Sequence, residues 1–290
     1  MEQFLHLTRV QVVFSEPTNQ QTVRRSIETM VSETCLPMEL MHGHVLDLLE
    51  KGVDHIFLPF VVNMKGGEDN PTNNCNCPWV QSAPFMVRAA FKDKATRSRF
   101  LIPSLHFRHM STALKEELGE LMYTSFGISR KKTWKAIIEA DRVQDSFEES
   151  LREKGKEVMN MKLPQGTRKM VILGRPYNTS DPHLNLNLVD KLIGLGTLPI
   201  PVDFVDSSAI NVFDDYYMMY WPNGQKILSL ARMVRNRKDL FAVYLGNFRC
   251  GPDSFITHFV QKEMSGKPFL HLEVDEHSAD AGMITRCEAS

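Results

Sequence analysis

Three cysteines share one local pattern. Cys35 in "SETCLPMELMHGHVLDLLE", Cys77 in "NCPWVQSAPFMVRAAF" and Cys250 in "GNFRCGPDSFITHFVQKEM" are each followed within two residues by a proline and an amphipathic helical pattern. Proline is favoured in the first turn of a helix, so the spacing predicts a thiol at each helix N-terminus. Unpaired N–H groups and the positive end of the helix dipole favour a thiolate there, the form that binds metal or attacks an electrophile. One buried cysteine is ordinarily a small packing residue. Three in the same context point to a shared site.

The spacing also bears on the ligand. Zinc sites pair cysteines as C-x(2–4)-C, and the C-x-C formed by Cys75 and Cys77 is too short to match. Widely spaced thiolates suit an iron–sulfur cluster, whose ligands can come from distant loops. A [4Fe-4S] cluster held by Cys35, Cys77 and Cys250 would keep one iron open to a substrate oxygen, hydroxide or sulfide, as a catalytic zinc keeps one position open. A zinc or thiol enzyme built on the same cysteines is the weaker alternative. Cys75 is a neighbour or spare ligand, and Cys287 in "TRCEAS" falls at a frayed end. Recruitment of Cys75 would bear on a larger assembly.

Other polar residues stand where strands should end. "GRPYN" offers Arg175 for a phosphate or carboxylate and Tyr177 as a proton or hydrogen-bond donor, with Asn178 beside them. "EVDEHSADAG" places Glu273, Asp275, Glu276 and His277 together, where crowded carboxylates raise one another's pKa and can move protons. Asp253 and Ser254 read as caps of the helix after Cys250. His42 and His44 lie on different helix faces and read as packed or solvated, and Met218, Met219 and Tyr220 as core or interlobe packing. Neither G-x-G-x-x-G nor a P-loop occurs, so no nucleotide site is expected.

The elements that must carry these residues are apolar runs alternating with helical patterns. The runs are 10–15, 54–63, 99–105, 169–175, 197–204, 240–247 and 268–275, with a short β-like stretch at 28–33 before Cys35. Most are apolar throughout, as strands covered on both faces are. The fold class is therefore α/β, with two Rossmann-like lobes built on parallel sheets and the cysteines facing an interlobe cleft. A charged amphipathic helix breaks at "LPQG" and divides the chain into a first lobe at 1–126, a linking helix at 127–166 and a second lobe at 167–290. The first lobe lacks an opening strand, and both ends read as cut from something longer.

Composition narrows the class further. Thirty-four basic residues balance 35 acidic ones, and 42% of the residues are hydrophobic, which describes a globular protein. The basic clusters "SRKKTWK" and "MVRNRKD" have acidic neighbours and read as solvated helix faces, so nucleic acid is not an expected partner. No apolar run is long enough for a membrane span, and the first residues lack a signal-peptide pattern, which predicts a cytoplasmic protein. Five cysteines in a reducing compartment argue against a disulfide framework.

Five segments in order, "SETCLPMELMHGHVLDLLEKGVDHIFLPF", "NCPWVQSAPF", "LGRPYNTSDPHLNLNL", "NFRCGPDSFITHF" and "KPFLHLEVDEHSADAGMITRCEA", resemble the acyl-CoA dehydratase activase-related family. This region is similar to the cluster-carrying subunits of 2-hydroxyacyl-CoA dehydratases and to double-cubane cluster proteins. The resemblance spans nearly the whole chain. It implies two Rossmann-like domains with an iron–sulfur cluster between them, on Cys35, Cys77 and Cys250. It also implies an ATP-dependent, actin-like activase that delivers low-potential electrons, an acyl-CoA substrate in the dehydratases, anaerobic chemistry and a homodimer. A noncatalytic docking domain of a larger activase protein is the alternative. Arg249 stands where the family usually has glycine before "CGPDSF".

Overall fold

The computed structural model describes residues 1–65, 74–108 and 112–289. The chain divides into two compact units, one of residues 1–33 and 38–149, the other of residues 34–37 and 150–290.

The first unit carries α1 (Glu2–Thr8), α2 (Gln20–Thr29), most of α3 (Leu36–Glu50), β1 (Ile56–Phe57), β2 (Phe60–Asn63), α4 (Pro78–Ala90), α5 (Lys94–Ser98), β3 (Phe100–Leu101), β4 (Ser104–His106), α6 (Thr112–Phe126) and the start of α7 (Arg130–Asn160). The expected strands at 54–63 and 99–105 form, but each is split at a proline. β1 pairs in parallel with β3, and β2 in parallel with β4. Pro59 and Pro103 lie at the breaks; a proline has no N–H to give to a ladder. The amide of Phe60 still reaches Pro103 O at 2.9 Å and carries the pairing across the break.

The run at 10–15 is not a strand, and neither is 28–33. Val13 and Phe14 are exposed, and no described strand lies alongside to pair with them. The stretch 28–33 is the end of α2 followed by irregular chain. Its helix begins at an Asn19 cap, whose side chain accepts from Thr22 N. Apolar residues of α1, β4, α6 and α7 form one core here, around Phe4, Leu105, Leu114, Leu118, Met122 and Ile137. Val45, Ile56, Val87 and Phe100 form a second.

The second unit carries the rest of α7, then β5 (Arg168–Gly174), α8 (Pro176–Ser180), α9 (Leu188–Gly194), β6 (Thr197–Pro201), a 3-10 turn at Val202–Phe204, α10 (Pro222–Asn236), β7 (Leu240–Asn247), α11 (Gly251–Glu263), β8 (Leu270–Val274) and α12 (Asp280–Glu288). Its four strands form one parallel sheet in the order β6-β5-β7-β8. Alternate residues serve opposite faces. Val171, Leu173, Ala242 and Tyr244 pack under α10 and α11, while Met170, Ile172, Val243 and Leu245 pack under α9 and α12. Both faces are covered, which is why β5 and β7 read as unbroken apolar runs. Each fully buried Leu or Ile in these layers contributes about 1.5–3 kcal/mol.

Candidate functional site

The strand order fixes where a site in the second unit can form. The chain runs from β5 to β6 on one side and then returns to β7 on the other, so the crossovers diverge at the carboxyl ends of β5 and β7. Ligands bind parallel sheets at such a switch point. Arg175 and the first turn of α8 follow β5, while the turn Phe248–Arg249–Cys250 and the N-terminus of α11 follow β7.

Cys250 occupies the cap position of α11, with Pro252 in its first turn. Cys35 lies just before α3, and its segment Thr34–Pro37 belongs to the second unit although the chain on either side belongs to the first. The two thiols share a hydrogen bond, at 3% and 4% exposure. The expectation of a thiolate at each helix start is corrected at Cys250. Its hydrogen bond with Cys35, burial and the Asp253 charge push this thiol upward, against the opposing pull of Arg175 and the Asp253 amide. Left to itself, the thiol is protonated at neutral pH.

Arg175 does not present a free fork for a ligand. Its Nε and Nη2 both donate to Asp253 Oδ1, at 3.1 and 3.0 Å, and both side chains are buried. Asp253 is therefore the partner of Arg175 and not a helix cap, while Ser254 Oγ donates to Cys250 O in the first turn. Tyr177 is half-buried in α8. Burial raises its phenol well above the usual value, with Cys250, Cys35 and Asp253 adding to the rise and Arg175 opposing it. Arg175, Tyr177, Cys35 and Cys250 thus fall in one neighbourhood, joined by Asp253.

Cys77 belongs to the first unit, where it caps α4 and accepts from Val80 N at 3.4 Å. The loop before it is tied to β2, since Asn76 N donates to Val62 O and Met64 N to Asn74 O, both at 2.9 Å. Among the described residues, no group of three or more histidine, cysteine or carboxylate side chains converges as a metal site.

A family model described as the CoA enzyme activase uncharacterised domain matches residues 1–205. The chain belongs to that family. No curated protein matches it. The match to the CoA enzyme activase domain takes in Cys35, Cys77, Arg175 and Tyr177, and ends before Cys250, Glu273 and His277.

The remaining candidates of this activase-family chain lie elsewhere. Glu273 is exposed on the outer strand β8, and His277 is exposed in the turn after it. The carboxylate of that segment drawn inward is Glu276, which pairs with Arg249 at 3.1 Å. Asp275 organises the turn, accepting from His277 N and Ser278 Oγ. Cys75 is half-buried and forms an isolated bridge with Asn63. Cys287 is not at a frayed end: it is buried on α12 in the core beneath β7 and β8. His42 is buried, its Nδ1 against Glu39 O, and burial lowers its pKa. Met219 is buried as expected, whereas Met218 and Tyr220 are exposed. No helix among the described residues is long and apolar enough to cross a membrane.

Sequence reasoning missed Asp253 and Asn247 as members of the site. The available signal was positional: an arginine directly after β5 and an aspartate in the first turn after β7 must meet if those strands are neighbours.

Proposed function

We propose that this domain carries an iron–sulfur cluster and receives low-potential electrons from an ATP-dependent activase. It would serve a 2-hydroxyacyl-CoA dehydratase-like or reductase system, with an acyl-CoA thioester as substrate in the dehydratase case. The observation that carries this reading is the meeting of Cys35 and Cys250, far apart in the chain, at the switch point of a parallel sheet in a member of a CoA enzyme activase family.

The chemistry of the Cys35–Cys250 pair supports this reading. Two buried thiols share a hydrogen bond there, and a coordinating metal removes thiol protons outright. In this reading Cys35, Cys77 and Cys250 hold the cluster, which when bound supplies one-electron chemistry at low potential. Asp253 fixes the position of the Arg175 guanidinium, whose charge favours a Cys250 thiolate while that of Asp253 opposes it. Tyr177 keeps its proton at neutral pH and offers a neutral donor.

The test is iron and acid-labile sulfide per chain after oxygen-free reconstitution, for the wild type and for Cys35→Ala, Cys77→Ala, Cys250→Ala and Cys75→Ala. About four irons and four sulfides, lost in the first three variants and kept in the fourth, is the expected result for a [4Fe-4S] cluster. A folded wild type that takes up no iron would leave a noncatalytic docking domain of a larger activase protein as the reading.

A further inference from the structure

Two carboxamides are buried at the same sheet edge with nothing to bond. Asn178 follows Tyr177 in α8 and is 1% exposed; Asn247 ends β7 and is 3% exposed. In each, both Oδ1 and Nδ2 lack a hydrogen-bond partner among the described residues. The backbones of the same residues are engaged: Asn178 O accepts from Asn185 Nδ2 at 3.0 Å, and Asn247 O accepts from Cys250 N at 3.1 Å. A buried polar atom left without a partner is costly, and native proteins keep few of them without a reason.

Their placement suggests the reason. β5 and β7 are adjacent, Gly174 pairing with Leu245, so the segments carrying Asn178 and Asn247 leave the sheet side by side. Asn247 holds the turn that presents Cys250, and Asn178 adjoins Tyr177. Arg175 is already committed to Asp253. Asp253 Oδ2 is also without a partner and can only accept, so the two carboxamides offer neutral donors, which can bond to sulfur without adding charge.

We infer that Asn178 and Asn247 are positioning residues whose carboxamides donate hydrogen bonds to the sulfur atoms of the group held by Cys35 and Cys250. This rests on the cluster reading above. Hydrogen bonds to cluster sulfurs withdraw electron density and raise the reduction potential. Removing them should make the cluster harder to reduce without detaching it.

Asn178→Leu and Asn247→Leu, each in the full chain, test this with two readouts. In cluster-free protein, the Tm should hold or rise, because a near-isosteric apolar side chain replaces an orphaned amide. A clear fall in Tm, or failure to fold, would overturn the inference, since the carboxamides would then have partners within the protein. In reconstituted protein, iron and sulfide should match the wild type while the midpoint potential shifts to more negative values. Full loading with an unmoved potential would sink the inference and leave the cluster reading intact. A wild type that takes up no iron would overturn both, and so separates the two failures.

Discussion

The guanidinium of Arg175 rests on one oxygen of Asp253, with Nε and Nη2 at 3.1 and 3.0 Å, across the carboxyl ends of two neighbouring strands. Both side chains are buried. Removing one member strands a charge in the interior, which costs about 3–5 kcal/mol, whereas replacing both with apolar residues is far milder. Arg175→Met and Asp253→Leu should each lower stability by that order, and the double variant by clearly less than their sum. A double-mutant cycle from urea unfolding measures the coupling.

Arg249 adopts φ 62°, the left-handed region where side chains are disfavoured by about 1–2 kcal/mol. Its pairing with Glu276 offsets only part of that, because the guanidinium is partly solvated. Arg249→Gly relieves the strain but loosens the unfolded chain. The net expectation is a gain of up to about 1 kcal/mol, seen as a Tm increase of a few degrees in thermal unfolding. A lower Tm would mean that the Glu276 contact outweighs the backbone strain.

Gly155 on α7 touches the backbone of Phe204, and a Cβ built there would lie 1.5 Å from Phe204 O. Backbone cannot yield as a side-chain tip can. Gly155→Ala should therefore destabilise despite alanine's better helix propensity, by about 1–3 kcal/mol, the usual cost of overpacking. The urea midpoint is the measurement; an unchanged or higher midpoint would show that α7 can move away from Phe204.

Glu263, Tyr216 and Arg232 make a buried network with opposite pH signatures. Arg232 donates to both Glu263 oxygens and Tyr216 OH to one, at 2.7–3.0 Å. The Arg232 contacts hold the Glu263 carboxyl below its usual value, with the Tyr216 hydroxyl assisting. Its contribution is thus present above the unfolded carboxyl pKa of about 4.3 and is lost as pH falls through the lower folded value. Tyr216 is pushed up to about 12, first by burial and then by its bond to Glu263. Its contribution is complete below the unfolded pKa of about 10 and is lost as pH rises through about 12. Glu263→Gln should flatten the acid limb of a stability-versus-pH curve, and Tyr216→Phe should remove its part of the loss on the alkaline side. Chemical denaturation across pH reads both.

What was legible in the sequence followed from local pattern. β7 was predicted at its observed bounds because both sheet faces are covered and every residue from Leu240 to Leu245 is apolar or small. The helix starts after Cys35, Cys77 and Cys250 were legible because proline marks them. The run at 10–15 looked as apolar as β5, yet a strand needs a neighbour, and its own residues cannot report whether one is present. Pro59 and Pro103 were visible as residues, but their alignment across paired strands was not. The Arg175–Asp253 pair depends on strand order, which periodicity leaves open. The raised Cys250 thiol depends on Cys35 arriving beside it, a fact of tertiary structure that overrides the local pull of a helix end.

The separation of Cys35 from Cys250 also sets a timetable for synthesis. A ribosome adding about 5–20 residues per second needs roughly 10–40 s to pass from one codon to the other. Cys35 emerges long before the strand that will carry its partner, so the nascent protein displays a lone thiol throughout that interval. A species held by both thiols could be captured only once Cys250 has left the ribosome, and a cell that keeps newly made chains reduced for that time protects the site before it exists.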